Sequence, residues 1–175
     1  HIIRDGRDVV ASLMEQVGRN AATLNRLPIT EDAGSACRYW IKAVRAGREA
    51  GAMIGERYIE VRYETLVREP EPTLQTLFAA IGEAWEPQVL DFHKMKRADP
   101  NSEAISQPIS DRSIGRWSRD LSDRDLATVM GMADSLLDEL GYLKPLKVAA
   151  SERISATRSE RSSAAESERS FAPTE

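Results

Sequence analysis

The sequence predicts an α/β fold in which a parallel sheet is flanked by helices. Three observations carry that expectation. "HIIRDGRDVVAS", His1 to Ser12, runs from an apolar segment through Gly6 into an amphipathic one, the pattern of a strand entering a helix. "RYIEVRYETL", from Arg57, alternates and is rich in Tyr, Ile and Val, which suits a second strand finishing near Tyr63. The intervening chain has helical period, so strand and helix alternate.

The elements follow in order. In the first helix Val9, Val10, Leu13, Met14 and Val17 share one face, Ser12 lies well off it, and Gly18 closes it. "AGSACRYWIKAVRAGREAGA", residues 33–52, is a second helix with Cys37, Trp40, Ile41 and Val44 as its buried stripe. After the second strand, "REPEPTLQTLFAAIG" reads as a short helix. Pro72 suits its first turn, Leu74, Leu77, Phe78 and Ile81 form its stripe, and Gly82 stops it. Residues 86–93 add a further helical turn or two, whereas "KMKRADPNSEAISQPISD" lacks any apolar period and reads as an exposed loop. Ser122 is placed to N-cap a long helix that turns Leu126, Val129, Met130, Ala133, Leu136, Leu137 and Leu140 inward and closes at Gly141. The folded domain is expected to span residues 1–146. Residues 147–175 form a Ser, Arg, Glu and Ala tail, too poor in apolar surface to offset its ordering entropy and expected to be disordered.

With 175 residues, 41% of them hydrophobic, the chain suits one domain with a sizeable core. Its 24 basic and 28 acidic side chains give a net charge of −4, which disfavours wholesale nucleic-acid binding but allows a local arginine cluster to hold a small anion. Cys37 is the sole cysteine, so an intrachain disulfide and a cysteine-rich zinc site are excluded, and a reducing, cytoplasmic compartment is expected. No stretch approaches the roughly 18 to 20 apolar residues of a spanning helix, and no signal peptide is visible.

The candidate site is the first strand's exit. Arg4 stands at its carboxyl end, and the unpaired N–H groups of the next helix point into the same crevice. Ser12, eight residues on, offers a hydroxyl to a phosphate oxygen, and Gly6 lets the chain turn tightly. Taken alone, Arg4 and Ser12 fit surface pairing and capping better than they fit a phosphate clamp. Asp8 can favour the helix's positive end, and Arg7 can pair with a nearby carboxylate. Tyr63, at a strand end, suits a partly buried structural tyrosine. His93 and Cys37 have no motif around them and read as a loop histidine and a core cysteine.

"RDGRDVVAS" resembles the 3′-phosphate-binding segment of the sulfotransferases that use 3′-phosphoadenosine 5′-phosphosulfate (PAPS), in which an Arg and a Ser eight residues apart hold the nucleotide's 3′-phosphate. "VRYETLVREP" is similar to that family's strand, tyrosine, acid and short-helix unit, and "SIGRWSRDLS" with the later "LGY" to the C-terminal segment of bacterial members. The resemblance covers roughly Ile2 to Tyr142. It implies a P-loop-like, three-layer parallel sheet with flanking helices, incomplete at the N-terminus, because the first strand, phosphate loop and helix of the family are missing. It implies PAPS as co-substrate, no metal, and a small-molecule or macromolecular acceptor. Arg4 and Ser12 would hold the 3′-phosphate, and Tyr63 would contact the adenine end. Arg112 and Arg116, flanking Gly115, would bring charge to the phosphates, with surface salt bridging the competing role. The family's eukaryotic cytosolic enzymes carry Arg-Lys-Gly ahead of Gly-Asp-Trp where this chain reads "SDRSIGRW". No residue is assigned to catalysis, and the chain alone is expected to be inactive. Two other readings stand beside it: a non-catalytic nucleotide-binding or interaction domain, and a P-loop kinase-like protein, for which a magnesium-binding carboxylate beside a phosphate loop is not seen.

Overall fold

The computed structural model describes residues 1–19, 32–94 and 107–143. Strand β1 (Ile2–Ile3) lies parallel to β2 (Val61–Arg62), with Ile2 opposite Val61 and Ile3 opposite Arg62. Among the described residues the sheet is this single pair, and they form a helix-rich arrangement around a short parallel ladder. The second strand begins only at Val61, later than its alternation suggests, and finishes beside Tyr63 as expected, with Tyr63 opening helix α3 (Tyr63–Arg68). The ladder stops there because, one residue past Arg4, the Asp5 N–H donates to the Glu64 carboxylate at 2.9 Å; a side chain takes the donor that a continued ladder would use.

Helix α1 (Gly6–Arg19) runs through Gly18, which therefore does not close it; an internal glycine costs a helix only about 1 kcal/mol. Helix α2 (Ala33–Ile54) is capped by Asp32, whose carboxylate accepts the Ser35 N–H at 2.7 Å. Its stripe is as the sequence predicts, with Cys37, Trp40 and Val44 buried and Ile41 packed at the margin. Helix α4 (Pro70–Ile81) starts two residues before Pro72 and ends at Gly82 as expected. Its apolar stripe is not core, since Ile81 is exposed and Leu74, Leu77 and Phe78 are half-buried. The 3-10 turns of Pro87–Lys94 pack on that side, and Trp85, two residues before them, is set edge-on to Phe78 at 5.6 Å. His93 lies in these turns and not in the loop that follows them.

A four-residue helix, α5 (Trp117–Asp120), leads into α6 (Asp123–Glu139). Ser122 caps α6 as predicted, accepting the Asp125 N–H at 3.2 Å. The core forms where α1 and α6 both pack on α2, around the fully buried Val10, Cys37, Val129 and Leu137. Gly6 is needed here for close approach and not for a turn: a Cβ on it would lie 2.6 Å from the Trp40 ring. That contact seats the start of α1 on α2, and the Trp40 indole N–H donates to the Arg4 carbonyl at 3.2 Å. Arg48 ties the entry to β2, donating to Glu60 at 2.8 and 3.1 Å and also to Glu139 of α6. Most of the expected 94–111 loop and the whole 147–175 tail lie outside the described residues.

Candidate functional site

The site is built at the end of β1, where three buried or half-buried carboxylates meet three arginines. Asp5 caps α1, its Oδ1 accepting the Arg7 N–H at 2.9 Å. Arg7 folds back on the same carboxylate (Nε to Oδ1 3.0 Å, Nη2 to Oδ2 2.7 Å), donates to the Tyr142 carbonyl at 3.0 Å and lies 4.3 Å over the Trp117 ring. It is thus the carboxylate-paired arginine the sequence suggests, and Trp117 is held against it. Glu64 accepts the Asp5 N–H with one oxygen and the Tyr142 hydroxyl, at 3.0 Å, with the other. Burial, followed by the charge of Glu64, pushes the Tyr142 hydroxyl well above the usual range, so it stays a donor at any ordinary pH.

Asp8 lies in the first turn of α1, at the helix's positive end, and is fully buried there. Its two oxygens accept the backbone N–H groups of Gly115, at 2.8 Å, and Trp117, at 3.0 Å, and so fasten the 113–117 turn to α1. Gly115 makes this possible with φ +71, a left-handed conformation that aims both donors at one carboxylate. Burial pushes the Asp8 carboxyl above its ordinary range, and the two backbone N–H groups hold it back only in part.

Of the five residues expected to hold the nucleotide, the fold brings Arg4 and Tyr63 into direct contact. The Arg4 guanidinium lies 4.6 Å over the Tyr63 ring, a cation–π arrangement. Both reach Ser113: Arg4 Nη2 donates to its carbonyl at 2.5 Å, and the Tyr63 and Ser113 hydroxyls lie 2.7 Å apart. Arg4 is held without being used up. Its Nε is buried with no hydrogen-bond partner, and its ion pair with Asp8 is long, at 3.9 Å, because both Asp8 oxygens already serve the turn. A guanidinium carries five donors, so capacity for an oxyanion remains.

Ser12 is half-buried. It stands four residues after Asp8 and three before Glu15, hence on one helical stripe with both. Asp8 binds the turn at 115 and 117, and Glu15 accepts from Arg116, so Ser12 lies on the face of α1 that the turn covers. Arg112 is exposed. Arg116 is the most committed of the five: it pairs with Glu15 and with Asp120, the latter at 2.6 Å, and these bonds raise its pKa further, that to Glu15 most. Salt bridging, the competing role stated for it, is what the coordinates display. Among the described residues no group of three or more His, Cys, Asp or Glu is placed to hold a metal ion, and no helix is long and apolar enough to cross a membrane.

The sequence alone does not mark Asp5, Asp8 and Glu64 as a buried carboxylate set, and it gives no role to Ser113, the first residue of "SIGRWSRDLS". Nothing local marks them, since an acid in a helix's first turn is ordinarily a solvated charge. The one available signal was the spacing of Arg4 and Asp8, four residues apart.

A strand whose carboxyl end delivers an incompletely paired arginine beside a tyrosine and a helix entry is an arrangement able to receive a small anion. The model of the sulfotransferase family matches residues 1–87, half the chain to within a residue. Through it the chain belongs to a sulfotransferase family, whose chemistry in general is sulfuryl transfer. No curated protein matches the chain.

Proposed function

We propose that the protein takes part in sulfuryl transfer from PAPS to an acceptor hydroxyl or amine, with the residues at the end of β1 holding the 3′-phosphate and adenine end of the nucleotide. Arg4 supplies charge-assisted hydrogen bonds to the 3′-phosphate, Ser12 adds a hydroxyl donor from the next turns of α1, and Tyr63 offers its ring beside them. The observation that carries this reading is the unpartnered Nε of Arg4, a buried donor held against the Tyr63 ring at 4.6 Å. A buried donor left without an acceptor is costly, and a phosphate oxygen would satisfy it.

In the reaction the bond between sulfur and the bridging oxygen of the nucleotide's 5′-phosphate breaks, and a bond from sulfur to the acceptor oxygen or nitrogen forms. The acceptor's proton passes to a base, and cations stabilise the departing phosphate. The sequence contains no Gly-x-x-x-x-Gly-Lys-Ser/Thr turn, and no residue of this chain is assigned to those steps. Arg112 and Arg116 belong to the binding side of the proposal, with Arg116 reaching a phosphate only by giving up Glu15 or Asp120.

The test is calorimetric titration of 3′-phosphoadenosine 5′-phosphate into the protein and into Arg4→Ala and Ser12→Ala. Loss of Arg4 should weaken binding by about one to two decades, the equivalent of roughly 1.5 to 3 kcal/mol for a hydrogen bond to a charged group. Affinity unchanged in both variants rejects the clamp.

A further inference from the structure

We infer that Ser113 is a positioning residue for the nucleotide site: it sets Arg4 and Tyr63 against each other before ligand arrives. This rests on the binding role proposed above for those two side chains and names a residue to which the sequence reading gives no role and which the family match does not reach. The match ends at residue 87, whereas Ser113 comes from the turn that Asp8 fastens onto α1.

The geometry is specific to this residue. Its carbonyl accepts from Arg4 Nη2 at 2.5 Å, while its hydroxyl meets the Tyr63 hydroxyl at 2.7 Å. One residue therefore reaches both members of the cation–π pair, each through a different group. Arginine carries about 2 kcal/mol of rotamer entropy, part of which a ligand must overcome on ordering the side chain. Arg4 has already lost that freedom to the Ser113 carbonyl and the Tyr63 face, yet keeps Nε free. The turn is anchored independently, through Gly115 and Trp117 to Asp8 and through Arg116 to Glu15, so the Ser113 hydroxyl is not required to hold it in place. That hydroxyl has a separable task, fixing the tilt of the Tyr63 ring over which Arg4 lies.

Ser113→Ala keeps the carbonyl and removes only the hydroxyl. It should weaken 3′-phosphoadenosine 5′-phosphate binding about two- to tenfold, as expected for one neutral hydrogen bond, with the unfolding midpoint unchanged. Tyr63→Phe should cost the same. The double variant should be no worse than either alone, because both remove one interaction. Ser113→Thr, which restores a hydroxyl, should recover binding. Wild-type affinity in Ser113→Ala, or additive losses in the double variant, would overturn the inference while leaving the Arg4 site intact, provided Arg4→Ala still weakens binding. Absence of binding by the unaltered protein removes both proposals together. Should Ser113→Ala lower the unfolding midpoint, the Tyr63→Phe and Ser113→Thr arms decide: failure of Thr to recover what Ala lost rejects the positioning role.

Discussion

Removing the Asp8 carboxylate is the sharpest probe of how the site is assembled. Asp8→Ala leaves the Gly115 and Trp117 N–H groups without their acceptor, and among the described residues neither has another partner. A stranded donor costs roughly 1 to 3 kcal/mol when fully buried, and these two are part-buried, so each falls at the lower end. Against that stands relief of the burial that pushes the Asp8 carboxyl up. The net expectation is a loss of about 1 to 3 kcal/mol, measured as a lower urea midpoint at unchanged slope. A pH series separates the two contributions. Because the folded protein holds the Asp8 proton more tightly than the unfolded chain, whose carboxyl titrates near 3.8, the stability linked to this proton is complete below that pH. It is lost as the pH rises through the higher folded value. Asp8→Asn, which cannot ionise and keeps one acceptor, should flatten that slope and cost less than Asp8→Ala. An Asp8→Ala midpoint equal to wild type, or a pH slope unaltered in Asp8→Asn, would refute the account of Asp8 as the fastening of the turn.

Two further expectations concern packing and charge. Gly6→Ala places a Cβ 2.6 Å from the Trp40 ring and should destabilise the protein by about 1 to 3 kcal/mol through overpacking, read as a lower thermal midpoint. Arg116→Ala should weaken 3′-phosphoadenosine 5′-phosphate binding less than Arg4→Ala does, since Glu15 and Asp120 already neutralise Arg116. A larger effect from Arg116 in the same titration would show that it exchanges carboxylates for phosphate.

Local pattern carried much of the architecture. Apolar spacing located α1, α2 and α6, and Ser122 and Gly82 marked ends because caps and left-handed stops are properties of a few adjacent residues. The strand at Ile2–Ile3 and the Arg4 position followed from the same short-range logic. Where a feature depends on what lies opposite, the pattern misled. The alternation from Arg57 looked like a longer strand, but only Val61 and Arg62 pair with β1, and the stripe of α4 faces no buried core among the described residues.

What the sequence determined by itself was the helix faces, the strand's apolar run and the placing of Arg4 and Ser12 at and after its exit. Tertiary structure alone decided which charges are bound and which are spare: Arg7 on Asp5, Arg116 on Glu15 and Asp120, and Arg4 left with an open Nε beside Tyr63 and Ser113. The partners of Asp8 and Tyr63 stand 107 and 50 residues away along the chain. No window of neighbouring residues contains them, because the hydrogen bonds that select among arginines exist only once α1, α3 and the 113–117 turn have met.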